Sequence, residues 1–230
     1  VSWVQEALQR VQPGEPVSLA AVELAVVGGV ALVLVLTPPL WRVARLGVTL
    51  VHELGHAVVG VLAGRTFTGF VLRGDASGHA VTRGRSSGPG LVATTWAGYP
   101  APALLAAGLA VAVGRGWAAP VLAVLGLVLV VALVQVRSVL TAAVTIGALA
   151  GVAALWWWGE PQLQAQVLTG LAAVLVVGAW RHLVAAARDT SAGNDARVLA
   201  RLAALPRVIW LATFALVCGW ATWVVVTTVR

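Results

Sequence analysis

Seven apolar runs, each about twenty residues long, divide the chain: 19–40, 46–64, 91–113, 117–136, 138–158, 163–187 and 208–229. At about 1.5 Å of rise per residue, a helix over each run can cross a hydrocarbon core of about 30 Å. Thr37-Pro38-Pro39, Arg115, Arg137, Gly159-Glu160-Pro161 and the polar stretch 188–207 punctuate them. Only Arg137 parts the fourth run from the fifth, so these two count as separate spans or as one broken unit. The pattern predicts an all-α polytopic membrane protein with about six to seven transmembrane helices. Two segments fall outside it. In residues 1–18, Val4, Ala7, Leu8 and Val11 recur at helical spacing with Gln5, Glu6, Gln9 and Arg10 opposite, and Pro13-Gly14-Glu15-Pro16 follows. This predicts a short amphipathic helix at the interface, followed by a single transmembrane domain over 19–230. Residues 66–85 read instead as a β-hairpin, with strands at 66–72 and 79–82 around the turn chemistry of Gly74-Asp75-Ala76-Ser77-Gly78. Sheet edges cannot face lipid, so this hairpin must cap the protein or line a wet cavity, where its edge is free to pair with an extended peptide.

Composition strengthens the membrane assignment. Of the 230 residues 60% are hydrophobic and 10% charged, with a mean hydropathy of +0.95, whereas a soluble domain is about a quarter charged. The net charge of +7 comes entirely from arginine. Topology and lipid headgroups account for it, and no nucleic-acid partner is called for. Methionine is absent, which suggests a processed or trimmed N-terminus. The single Cys218 excludes an intrachain disulfide and any thiolate zinc cluster.

The chemistry is concentrated in the second run, 46–64, at His52-Glu53-Leu54-Gly55-His56. Successive helical residues advance by about 100°, so His52 and His56 share a face and Glu53 lies beside it. Two imidazoles so placed can hold zinc, with the carboxylate in reach of a water. Titratable groups among Val43, Ala44, Val58, Val59 and Val61 are costly at membrane depth, and a divalent cation compensates all three at once. Zn2+ is therefore the expected cofactor. A catalytic zinc needs a third protein ligand and an open position. Glu6 and Glu15 precede the first run, Glu23 reads as a headgroup-level carboxylate, and Glu160 falls on the far side by charge. Asp195, in the segment 191–202, stands where a helical period begins, and is either that helix's N-cap or the third ligand. His79 reads as a solvated histidine. Tyr99, in Ala97-Gly98-Tyr99-Pro100-Ala101-Pro102, offers a hydroxyl to a developing oxyanion.

With seven spans, the N-terminal side carries Arg10, Arg65, Arg73, Arg83, Arg85, Arg137, Arg181, Arg188, Arg197, Arg201 and Arg207, against Arg42, Arg45, Arg115 and Arg230 opposite. Positive-inside counting then puts the N-terminus, the hairpin and the 188–207 loop in the cytoplasm of a multi-pass cell-membrane protein.

The motif in a membrane span, the following hairpin, Ala97-Gly98-Tyr99-x-x-Pro102 and the late Asn194-Asp195-Ala196 together resemble the site-2 protease group of intramembrane zinc metalloproteases. The likeness covers roughly 46–210 and is closest to the compact bacterial branch without a PDZ domain. The late aspartate lacks the usual Asp-Gly setting, and the group's Asn-Pro signature is missing. The resemblance implies His52, His56 and Asp195 as zinc ligands and Glu53 as general base. Tyr99 and Asn194 stand beside these as candidate substrate or oxyanion contacts. The resemblance further implies a hairpin that presents substrate, and single-span membrane proteins in the lipid bilayer as substrates. A metal-binding transporter or sensor and a catalytically silent scaffold are the alternatives from other classes. Transporters usually show paired internal repeats, and none is evident here.

Overall fold

The computed structural model describes residues 2–228. Helix α1 (Trp3–Arg10) is closed at its start by a reciprocal capping box between Ser2 and Gln5, and buries none of its residues. Then follow α2 (Ala21–Leu36), α3 (Pro38–Leu62), strands β1 (Thr66–Leu72) and β2 (Gly78–Arg83), α4 (Pro89–Ala97) and α5 (Pro100–Gly114). The chain continues through α6 (Ala118–Leu133), α7 (Val139–Trp158), α8 (Pro161–Arg188), α9 (Asp195–Ala203) and α10 (Arg207–Thr228). Every apolar run is helical, and the class is an all-α membrane protein with one small hairpin.

The number of full-length spans is smaller than the run count. Helices α3, α7, α8 and α10 are long and apolar enough to cross a membrane, and α4 with α5 makes a fifth if the bent pair is one span. Helices α2 and α6 have 16 residues each, about 24 Å, which falls short of a typical core. The α4–α5 bend is 67°. Pro100 and Pro102 remove two donors from the helical ladder there, so the run could not continue straight. Pro38 likewise ends α2 after the single extended residue Thr37 and starts α3 in a new direction.

At the centre α5 packs against α8 and α10. Its buried face is mostly alanine, with Ala103, Ala106, Ala107 and Ala110 all at 2% exposure or less. Small side chains let helices approach closely where lipid supplies no hydrophobic drive. Helix α3 crosses α8 at Gly178, where a Cβ would lie 2.6 Å from a Val48 methyl. The hairpin pairs antiparallel from Thr66↔Arg83 to Leu72↔Gly78, with a bulge between Phe67 and Gly69. Its β1 edge is closed by the α6–α7 connection: Phe70 N–H donates to Gln135 O (3.1 Å) and Arg137 N–H to Phe70 O (3.2 Å). Arg137 also donates to Thr68 O, lying where Gly69, at φ +148°, has no side chain. Strand β2 is left as the sheet's open edge among the described residues.

The N-terminal segment and the hairpin lie at opposite ends of α7. Gly14 N–H donates to Gly116 O, and Arg10 donates to Trp156 O and lies 5.8 Å from the Trp157 ring. The N-terminal segment thus sits at the α5–α6 and α7–α8 end of the bundle. The hairpin sits at the other end of α7, where Leu72 N–H donates to Thr141 Oγ1 (2.7 Å). The end of α2 lies against α8, where Arg181 donates to Val35 O (3.1 Å). The hairpin runs along α3, with Gly60 against Thr82 and Thr49 Oγ1 donating to Ala76 O (2.9 Å). Arg230, counted above on the opposite side, lies outside the described residues. In a Cys218→Ser background, single cysteines at Gln12 and Ser86 should be labelled by an impermeant maleimide from opposite faces of the membrane. Labelling of both from one face would refute this arrangement.

Candidate metal centre

One turn apart on α3, His52 and His56 turn their rings edge to face, with centroids 4.8 Å apart and an interplanar angle of 87°. Their Nε2 atoms are 3.2 Å apart. Asp195 comes to them from the first turn of α9, with Oδ2 at 3.5 Å from His52 Nε2 and 3.2 Å from His56 Nε2. The cap of α9 is Asn194, whose side-chain oxygen accepts from Ala196 N–H at 3.1 Å, and Asp195 is left free to face the histidines. Asn194 Nδ2 donates to Ala186 O (3.2 Å) and Asp189 Oδ2 (3.3 Å). Its amide is therefore tied to the end of α8 and to Asp189. Arg207, opening α10, donates to the carbonyls of Ala186, Ala187 and Asp189. Ser191 donates to both Asp189 oxygens, which holds that carboxyl below the usual carboxylate range. The 189–194 connection is thus fastened at both ends, and with it the position of Asp195.

The donor set fits a tetrahedral transition ion. Two ligand atoms at about 2.0–2.1 Å from zinc in that geometry stand about 3.3–3.4 Å apart, and the three separations here are 3.2, 3.2 and 3.5 Å. Asp195 Oδ2 is buried without a hydrogen-bond partner, as expected of an atom whose lone pair serves a metal. His56 Nδ1 lies 2.7 Å from Thr94 O, an acceptor, so the proton belongs on Nδ1 and the Nε2 lone pair faces the group. No other group of three or more His, Cys, Asp or Glu side chains among the described residues converges in this way.

Two glycines make room for these side chains. At Gly98, in the α4–α5 bend, a Cβ would collide with His56 Nε2 and stand 2.8 Å from His52 Cε1. At Gly78, opening β2, a Cβ would collide with Glu53 Oε1. Glu53 is buried, at 3% exposure, beside the histidines and against the hairpin. Tyr99 borders the group, edge-on to His52 at 4.8 Å and stacked on Phe214 at 5.0 Å. His79, paired with Val71 in the hairpin, is not part of the converging group. Glu23, at the start of α2, accepts from Gln162 and Gln166 far from the site, in keeping with a headgroup-level carboxylate. An apolar cavity of about 1010 Å³ lies along the opposite face of α3 among Val30, Val51, Leu125, Val152 and Leu171, and none of the three converging side chains lines it. Sequence reasoning passed over Gly78, Gly98 and His182. The two glycines become visible only through the contacts they permit, whereas His182 carried a signal as the one other titratable imidazole within an apolar run.

Fold and site together define a multi-pass membrane protein with a two-histidine, one-aspartate group fit for a metal and a buried glutamate at its side. The sequence profile of the peptidase M50B-like family matches residues 25–225, and the chain belongs to this family, part of the site-2 protease group of metallopeptidases. No curated protein and no solved structure gives a match. Gly98→Ala should weaken binding of a divalent transition ion at least about tenfold by displacing a ligand ring, as read by chelator competition. Unchanged affinity would show that the bend does not confine the histidines.

Proposed function

We propose that the protein is a zinc-dependent intramembrane endopeptidase, in which His52, His56 and Asp195 hold the metal and Glu53 is the general base. The observation that carries this reading is the convergence of His52 and His56 from α3 with Asp195 from α9, their three ligand atoms at tetrahedral spacing. When bound there, zinc supplies Lewis acidity, polarising a scissile carbonyl and acidifying water. The Glu53 carboxylate takes a proton from the attacking water and delivers it to the leaving amine nitrogen. Its burial between α3 and β2 keeps bulk water from competing for that proton. Of the two side chains considered for the oxyanion, only Tyr99 borders the histidines, and that role falls to it.

The substrates on this reading are single-span membrane proteins. A helical peptide bond is enclosed by its own hydrogen-bond ladder, so the segment must unwind before cleavage. The open edge of β2 supports strand pairing with such a segment, because β1 is already closed by 135–137. Positive-inside counting, with the N-terminus and the hairpin taken on opposite sides, favours a cytoplasmic hairpin. Arg65, Arg73, Arg83, Arg85, Arg137, Arg188, Arg197, Arg201 and Arg207 gather at that end, against Arg10 and Arg115 at the other. The N-terminus is then extracytoplasmic. Residues 19–230 act as one metalloprotease domain, while α1 lies at the interface with Trp3, Val4 and Leu8 exposed to headgroups.

Glu53→Gln should retain the metal and lower kcat by about 10²–10⁴-fold, measured by mass spectrometry on a single-span substrate co-expressed with each enzyme. Undiminished cleavage by that variant would remove Glu53 from the mechanism. His56→Ala should lose both metal and activity, and a variant that still binds one zinc per chain would overturn the ligand set.

A further inference from the structure

His52 differs from His56 in one respect. Its Nε2 faces His56 Nε2 and Asp195 Oδ2, so a lone pair offered to a metal there puts the ring proton on Nδ1. That Nδ1 is sealed from solvent and has no hydrogen-bond partner among the described residues. Metal-binding histidines almost always donate this second N–H to an acceptor, which fixes the tautomer and the ring angle. His56 follows the rule through Thr94 O.

The ring of His182, on α8, meets that of His52 at 6.0 Å between centroids and 73° between planes. Gly178, one turn earlier, admits Val48, which lies one turn before His52, and so brings the two imidazoles into one layer. Rings joined in line by an N–H···N bond of about 2.9 Å have centres about 5 Å apart. The observed separation exceeds this by about 1 Å, within the reach of a side-chain adjustment. Resting on the metallopeptidase reading above, we propose that His182 is a positioning residue for His52. Its unprotonated ring nitrogen accepts the His52 Nδ1–H and holds the Nε2 lone pair on the metal group. Tyr99 also packs edge-on against His52, at 4.8 Å between centroids.

The test compares wild type, His182→Gln and His182→Met, full-length, demetallated in detergent and titrated with Zn2+ and Co2+ against a chelator. Gln and Met are close in length, and only Gln keeps an acceptor. His182→Met should bind Zn2+ about 10–100-fold more weakly with an altered Co2+ ligand-field spectrum, and His182→Gln should stay within about threefold of wild type. A Met variant that binds like wild type overturns the role, as does a Gln variant that falls as far as Met. Wild-type protein that takes up no metal overturns this role and the metallopeptidase reading together, which separates the two failures.

Discussion

Polar atoms placed in an apolar helix must find partners, and that requirement organises this molecule. His52, Glu53 and His56 occupy adjoining faces of α3 within little more than one turn, among leucine, valine and alanine. Buried polar groups must be satisfied by other protein groups, and these come from several elements. Asp195 arrives from α9, Thr94 offers its carbonyl from α4, and Gly78 yields space from β2.

Those partners come from elements that do not simply cross the bilayer. The α4–α5 run bends at its prolines, α2 stops at Thr37, and the 189–194 connection is pinned by Asn194, Ser191 and Arg207. Irregular backbone within a membrane protein is tolerated where it is buried in protein or lines a wet cavity. Here the α4–α5 bend and the 189–194 connection adjoin the histidines, while α7 and α10 are uninterrupted helices. The Gly55 contact with Ala97 and Ala101 is so close that a Cβ would stand 2.5 Å from the Ala101 methyl, which separates the histidine face from the large apolar cavity behind α3.

Much of the fold was legible because apolar runs and punctuation are local signals. Pro38, Pro89, Pro100 and Pro161 each sit in the first turn of a helix, and the hairpin strands fall where alternation and turn residues put them. Which end of the bundle each segment reaches was not legible. Whether a run crosses or turns back depends on contacts such as Arg181 with Val35 O and Gly14 with Gly116, which join positions far apart in sequence. The histidine pair and its glutamate could be read from spacing alone. The choice between cap and ligand at Asp195 could not, since Asn194 and Asp195 are both good caps and only geometry shows which one accepts from Ala196. Gly78 and Gly98 were silent for the same reason: what they admit belongs to another element.

The latch between Arg137 and the bulge at Gly69 has a consequence beyond holding the hairpin in place. It joins β1 to the α6–α7 connection, while β2 abuts Glu53. Any displacement of α6 and α7 against the rest of the bundle is thereby passed through a stiff two-stranded lever to the carboxylate.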